Sequence, residues 1–85
     1  MGESDKSLDY LLNANYFFEY IDDILRIYGE DRYVAIFDTN MVDSDNDRTD
    51  LLNRVRLRFK RDSDNVFISN YSSFRRENKK YKIRL

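Results

Sequence analysis

Hydrophobic positions recur along this chain in two rhythms, and the rhythms divide it. Wound at about 100° per residue, Leu11, Ala14, Phe17, Phe18, Ile21, Ile24, Leu25 and Tyr28 fall within an arc of about 140°, the width of a core-facing stripe. A helix over 8–28 follows. Ser7 is placed to cap it, Asp9 lies in the first turn and Arg26 in the last, where the helix dipole favours each charge, and Gly29 supplies a C-terminal stop. The rest of its surface is mixed: Leu8, Leu12, Tyr16, Tyr20 and Ile27 lie among Asp9, Glu19 and Asp23.

Beyond Gly29 the period shortens. Tyr33 to Phe37 is apolar on both faces and reads as a central strand, and residues 38–50 form a polar, aspartate-rich connection. From residue 54 the pattern alternates, with Arg54, Arg56, Arg58 and Lys60 opposed to Val55, Leu57 and Phe59, which predicts a strand with one basic face. Asp62 to Asn65 is turn chemistry, so Val66 to Tyr71 is expected to pair back as the second arm of a hairpin. Residues 72–78 read as a polar connection. The tail alternates again, Lys80, Lys82 and Arg84 against Tyr81, Ile83 and Leu85, as a last strand. The expected fold is α+β in the order α-β-β-β-β: an N-terminal amphipathic helix packed on a three- to four-stranded antiparallel sheet whose other face is basic. Residues 1–85 are expected to form a single domain, with 1–7 frayed, 8–28 helical and 33–85 in the sheet.

Composition narrows the chemistry. The 85 residues include no cysteine and no histidine, which removes disulfides, a thiolate nucleophile, and the commonest general base and metal ligand. A non-enzymatic protein without catalytic residues, metal or cofactor is the resulting expectation. The net charge of -1 conceals a segregation: residues 1–50 carry 4 Lys/Arg and 13 Asp/Glu, and residues 51–85 carry 11 and 3. Two halves of opposite sign point to a charged partner, to internal pairing, or to both. There is no apolar run of membrane-spanning length, and the acidic N-terminus is unlike a signal peptide, so a cytoplasmic protein without membrane contact is expected. Abundant Phe, Tyr, Ile, Asn and Lys beside scarce Gly, Ala and Pro suggests an AT-rich source such as a phage, virus or mobile element, which places the protein in a host cell's cytoplasm.

Three constellations carry candidate functions. The first is an acidic and aromatic surface made of Tyr16, Glu19, Tyr20, Asp22 and Asp23 on the helix with Asp43, Asp45 and Asp47 in the connection. Carboxylates so spaced imitate phosphates, and the tyrosines supply apolar anchors, which fits an inhibitor or adaptor of anti-defence type docking on a nucleic-acid-handling protein. The second is the basic row Arg54, Arg56, Arg58, Lys60, Lys80, Lys82 and Arg84, whose spacing along a strand suits single-stranded DNA or RNA; this is the alternative reading. Asp43-x-Asp45-x-Asp47 imitates the start of a calcium loop, but Arg48 stands at the glycine position and Arg54 at the closing glutamate position, so no metal site is expected there. The same aspartates can instead pair with the chain's own basic row. The third, Glu77-x-Lys79 with Asp62 or Asp64 and Glu19, resembles the carboxylates and lysine of metal-dependent PD-(D/E)xK nucleases at a few positions and is the most remote alternative. The mixed helix face also allows a homodimer.

Overall fold

A computed structural model describes residues 7–81 as an α+β unit. Helix α1 runs Leu8–Glu19 and α2 runs Ile21–Tyr28, with Tyr20 (φ -105°, ψ 22°) breaking what the apolar spacing suggested was one helix. The expected boundaries are present: the Ser7 hydroxyl accepts from the Tyr10 amide at 3.1 Å, and Gly29, at φ 84°, ends α2 with its amide donating to the Leu25 carbonyl. Strand β1, Tyr33–Phe37, is central as its apolar faces require, and pairs antiparallel with β2, Asn40–Asp45, on one side and β3, Phe67–Ser69, on the other.

The alternating stretch from Arg54 is not a strand. It lies within helix α3, Arg48–Phe59, which a 3₁₀ segment, Lys60–Asn65, connects to β3. Alternation over seven residues is overridden by a longer pattern. Leu51, Val55 and Phe59 recur every fourth residue, and Asp47 caps the helix, its carboxylate accepting from the Asp50 amide at 3.1 Å. Leu57, which a strand would bury beside Val55, is 74% exposed, against 2% for Val55. The hairpin therefore forms elsewhere. Its turn is Asp38-Thr39, both at positive φ (55° and 53°) as a two-residue turn of the I′ kind requires, so the polar connection contains strand β2. Of the expected second arm, Val66 to Tyr71, only Phe67–Ser69 is a strand, and it pairs with β1 and not with the 54–60 segment.

The expected connection 72–78 is likewise helical, within α4, Tyr71–Tyr81. Asn70 caps it: its side-chain oxygen accepts from the Ser73 amide at 2.9 Å, and its amide nitrogen donates to the Asp31 carbonyl. Lys80 and Tyr81 belong to this helix and not to a last strand; Lys82, Ile83, Arg84 and Leu85 lie outside the described residues. Among the described residues the order is thus α-α-β-β-α-β-α with three strands, so the expected sequence of one helix followed by strands is corrected.

Two cores explain why. Val34, Ile36 and Phe67 meet Ala14, Phe17 and Ile24 of α1 and α2, with Phe74 of α4 packed alongside; Ala35 and Val66 meet Leu51 and Val55 of α3. A central strand apolar on both faces needs a cover on each, and one N-terminal helix covers only one. Helix α3 is the second cover.

Candidate functional site

The two halves of opposite charge meet at β2 and α3. Opposite Ala35, and hence on the α3 side of the sheet, Asp43 receives a two-pronged contact from Arg54: Nε to Oδ2 at 3.0 Å and Nη2 to Oδ1 at 3.1 Å. Arg54 Nη1 reaches Asp45 Oδ2 at 2.7 Å. The Arg54 guanidinium holds the Asp43 carboxyl below its usual range; for Asp45 the amide of Asp47 is the larger cause and Arg54 the next. The pair raises the arginine in turn. A bidentate fork on one carboxylate and a third bond to its neighbour uses the planar geometry that distinguishes arginine from lysine.

The same arginines close the open edge of the sheet. On the side of β2 away from β1, the Ser44 carbonyl accepts from Arg54 Nη2 at 3.1 Å, the Val42 carbonyl accepts from Arg58 Nη1 at 3.1 Å, and the Ser44 amide donates to Asp43 Oδ1 at 2.8 Å. Residues four apart on a helix rise about 6.0 Å, and residues two apart on a strand about 6.8 Å, so Arg54 and Arg58 match alternate carbonyls of β2. Arg32 adds a bond from Nε to Ser44 Oγ at 2.9 Å. A bulge between Ala35 and Ile36, where Val42 is the extra residue, further disfavours pairing with another strand.

The expected acidic surface is consequently split. Asp43 and Asp45 face α3, and Asp47 is its cap; Tyr16, Glu19, Tyr20, Asp22 and Asp23 belong to the opposite layer, on α1, α2 and their junction. On that layer Leu8, Leu12, Tyr16 and Tyr20 recur every fourth residue. Leu8 is 70% exposed, Leu12 48% and Tyr20 41%, and Ile27 of α2 is 67% exposed. The Tyr16 and Tyr20 rings lie 4.6 Å apart between centroids, tilted by 41°. Glu19, three residues from Tyr16, and Asp22, in the first turn of α2, are exposed, and Asp23 pairs with Arg26. Two residues of the expected core-facing stripe, Leu11 and Phe18, are about half exposed; Phe18 still stacks near Phe67 and Phe74.

The basic row also separates. Arg54 and Arg58 turn to β2, whereas Arg56 and Lys60 are exposed on α3 and at the start of the 3₁₀ segment, and Lys80 lies in α4; Lys82 and Arg84 lie outside the described residues. Glu19 ends α1, Asp62 and Asp64 sit in the 3₁₀ segment and Glu77 lies in α4. Among the described residues no three acidic side chains gather as a metal-binding group.

One functional-looking residue has no clear sequence signal. Asn13, 1% exposed, donates from Nδ2 to the Asn65 carbonyl at 2.8 Å and accepts at Oδ1 from the Thr39 amide at 2.8 Å. It ties α1 to the 3₁₀ segment and to the hairpin turn, a structural task. Among the described residues no helix is long and apolar enough to cross a membrane. No family model, curated protein or solved structure matches this chain, so its function is argued from these surfaces alone.

Proposed function

We propose that this chain is a small non-enzymatic docking protein, an inhibitor or adaptor acting in the cytoplasm, of the host cell if the source is a phage or virus. Its partner is a basic protein of the kind that handles nucleic acid, engaged through the exposed face of α1 and α2. The observation that carries this reading is the row Leu8, Leu12, Tyr16 and Tyr20, continued by Ile27, with Glu19 and Asp22 exposed on the same two helices. Apolar and aromatic side chains supply the buried centre of an interface, and surrounding charge sets orientation and association rate. Asp43, Asp45 and Asp47 are not part of this face, because Arg54 and the α3 terminus already engage them.

The test is affinity capture with the full chain and two variants: Tyr20→Ala with Asp22→Lys on the proposed face, and Asp50→Lys with Asp62→Lys elsewhere. The expected result is a partner lost with the first pair and kept with the second. Capture unchanged by the first pair overturns the reading. Sedimentation of the free protein distinguishes a heterologous partner from a second copy on this face. Direct nucleic-acid binding is the alternative, to be read from salt titration of a single-stranded oligonucleotide; with Arg54 and Arg58 engaged on β2, the remaining Arg56, Lys60, Lys80, Lys82 and Arg84 predict a log-log slope of about -3 to -4.

A further inference from the structure

The α1–α2 junction does more than present an apolar row. Between it and β2 lies a groove lined by Tyr16, Tyr20, Asp23, Ile24, Ile27, Tyr28 and Met41. Ile24, 2% exposed, belongs to the core and closes the bottom, and Met41 is packed against that core. Three aromatic rings and one carboxylate therefore surround a single apolar-floored recess. Tyr16 and Tyr28 are half-buried against the core and Tyr20 is exposed, positions that suit a ring with an apolar body and a hydroxyl favouring a wet boundary.

We propose that this groove binds one arginine side chain presented by a basic segment of the partner. The inference rests on the docking reading above and names the chemistry that reading leaves open. Aromatic faces attract cations through the ring quadrupole, and two rings held 4.6 Å apart offer one wall for a planar cation. Guanidinium is planar, stacks on aromatic faces and is more weakly hydrated than ammonium, so a half-apolar recess favours arginine over lysine. The carboxylate is suitably placed: Asp23 Oδ1 already accepts from the guanidinium of Arg26, a side chain 71% exposed, which leaves Oδ2 outside that bond. Arg26 thus competes at the rim for the anion that a partner's arginine uses. Asp22 and Glu19, exposed on the same helices and outside the groove lining, add negative potential to this layer.

Nuclear magnetic resonance of the full chain, titrated with a short end-capped peptide whose one central arginine is its sole charged residue, tests this directly. Matched peptides with lysine or citrulline, the neutral isostere of arginine, are the controls. Arginine-peptide shifts are expected at Tyr16, Tyr20, Ile24, Tyr28 and Met41, with citrulline weaker by about tenfold and lysine by about two- to fivefold. Asp23→Asn is expected to weaken the arginine peptide by about fivefold, and Arg26→Gln to strengthen it by about twofold. Tyr20→Phe retains binding and Tyr20→Ala abolishes it, with unchanged amide shifts in β1 showing that the fold is intact. Equal binding of the citrulline peptide, equal binding of the lysine peptide, or shifts confined to α3 each overturn the arginine assignment. Absence of any shift at millimolar peptide does the same. If capture of a partner depends on Tyr20 and Asp22 while the arginine peptide leaves the groove untouched, the docking face stands and the pocket falls. If the peptide binds while capture ignores those residues, the pocket stands and the docking reading falls.

Discussion

Asn13 and Thr39 show what one residue does in so small a fold. Thr39 is a β-branched residue at φ 53°, a backbone region that suits glycine or asparagine, and its amide is held by the buried Asn13 side chain. Replacing Asn13 by alanine leaves that amide and the Asn65 carbonyl without their partner, each a desolvated group worth about 1–3 kcal/mol. Asn13→Ala is therefore expected to lower unfolding free energy by about 2–4 kcal/mol in urea titration. A loss under about 0.5 kcal/mol would show that water replaces both bonds. Thr39→Gly removes the strain and is expected to raise stability by about 1 kcal/mol, measured the same way. In the sequence Asn13 is one polar residue among helical neighbours. Its role depends on two segments that folding brings to it, so no local pattern marks it.

At the scale of elements, α3 carries the clearest lesson. Seven alternating residues satisfy a strand, yet the same letters satisfy a helix once Leu51 and the Asp47 cap are included. The choice is decided by what must cover the second face of β1, since Ala35 and Val66 pack against Leu51 and Val55. The two patterns make opposite demands on Leu57. Leu57→Lys is expected to change stability by no more than about 0.5 kcal/mol, and Val55→Ala to cost about 1–3 kcal/mol, by chemical denaturation. Comparable large losses at both positions would restore the strand. The helical segment after Ser7 is legible in sequence because cap, stripe and stop coincide there, although its break at Tyr20 carries no glycine or proline to announce it.

For the whole molecule, the segregated charge turns inward at one place. Asp43 and Asp45 ionise more readily folded than unfolded, so their contribution to stability is present above the ordinary aspartate value of about 3.9 and is lost as pH falls through the lowered folded values. The thermal unfolding midpoint is expected to fall at pH values below about 4, and Asp43→Asn with Asp45→Asn to flatten that part of the profile. An unaltered acid profile in the double variant would assign the loss to other carboxylates. The same contact seals the β2 edge. Removing both guards in Arg54→Ala with Arg58→Ala exposes the Val42 and Ser44 carbonyls, and the folded variant is expected to self-associate in light scattering where the parent does not. A folded variant with unchanged mass at high concentration would show that the bulge and acidic side chains suffice.

Local signals alone determined the α+β class, the cap at Ser7 and the stop at Gly29 that bound the helical segment, the central place of β1 and the opposition of an acidic and a basic half. Each depends on neighbours in the chain, on periodicity, capping or composition, and needs no distant contact. Only the tertiary structure decided that Arg54, Arg56 and Arg58 are helical, that Arg54 and Arg58 guard the edge of β2, and that the helix carboxylates and strand carboxylates lie on opposite layers. The physical reason is that a seven-residue pattern is compatible with two periods, and the energy separating them comes from burying Leu51 and Val55 against a strand far away in sequence. That burial also divides the acidic residues between a structural contact and the exposed α1–α2 face.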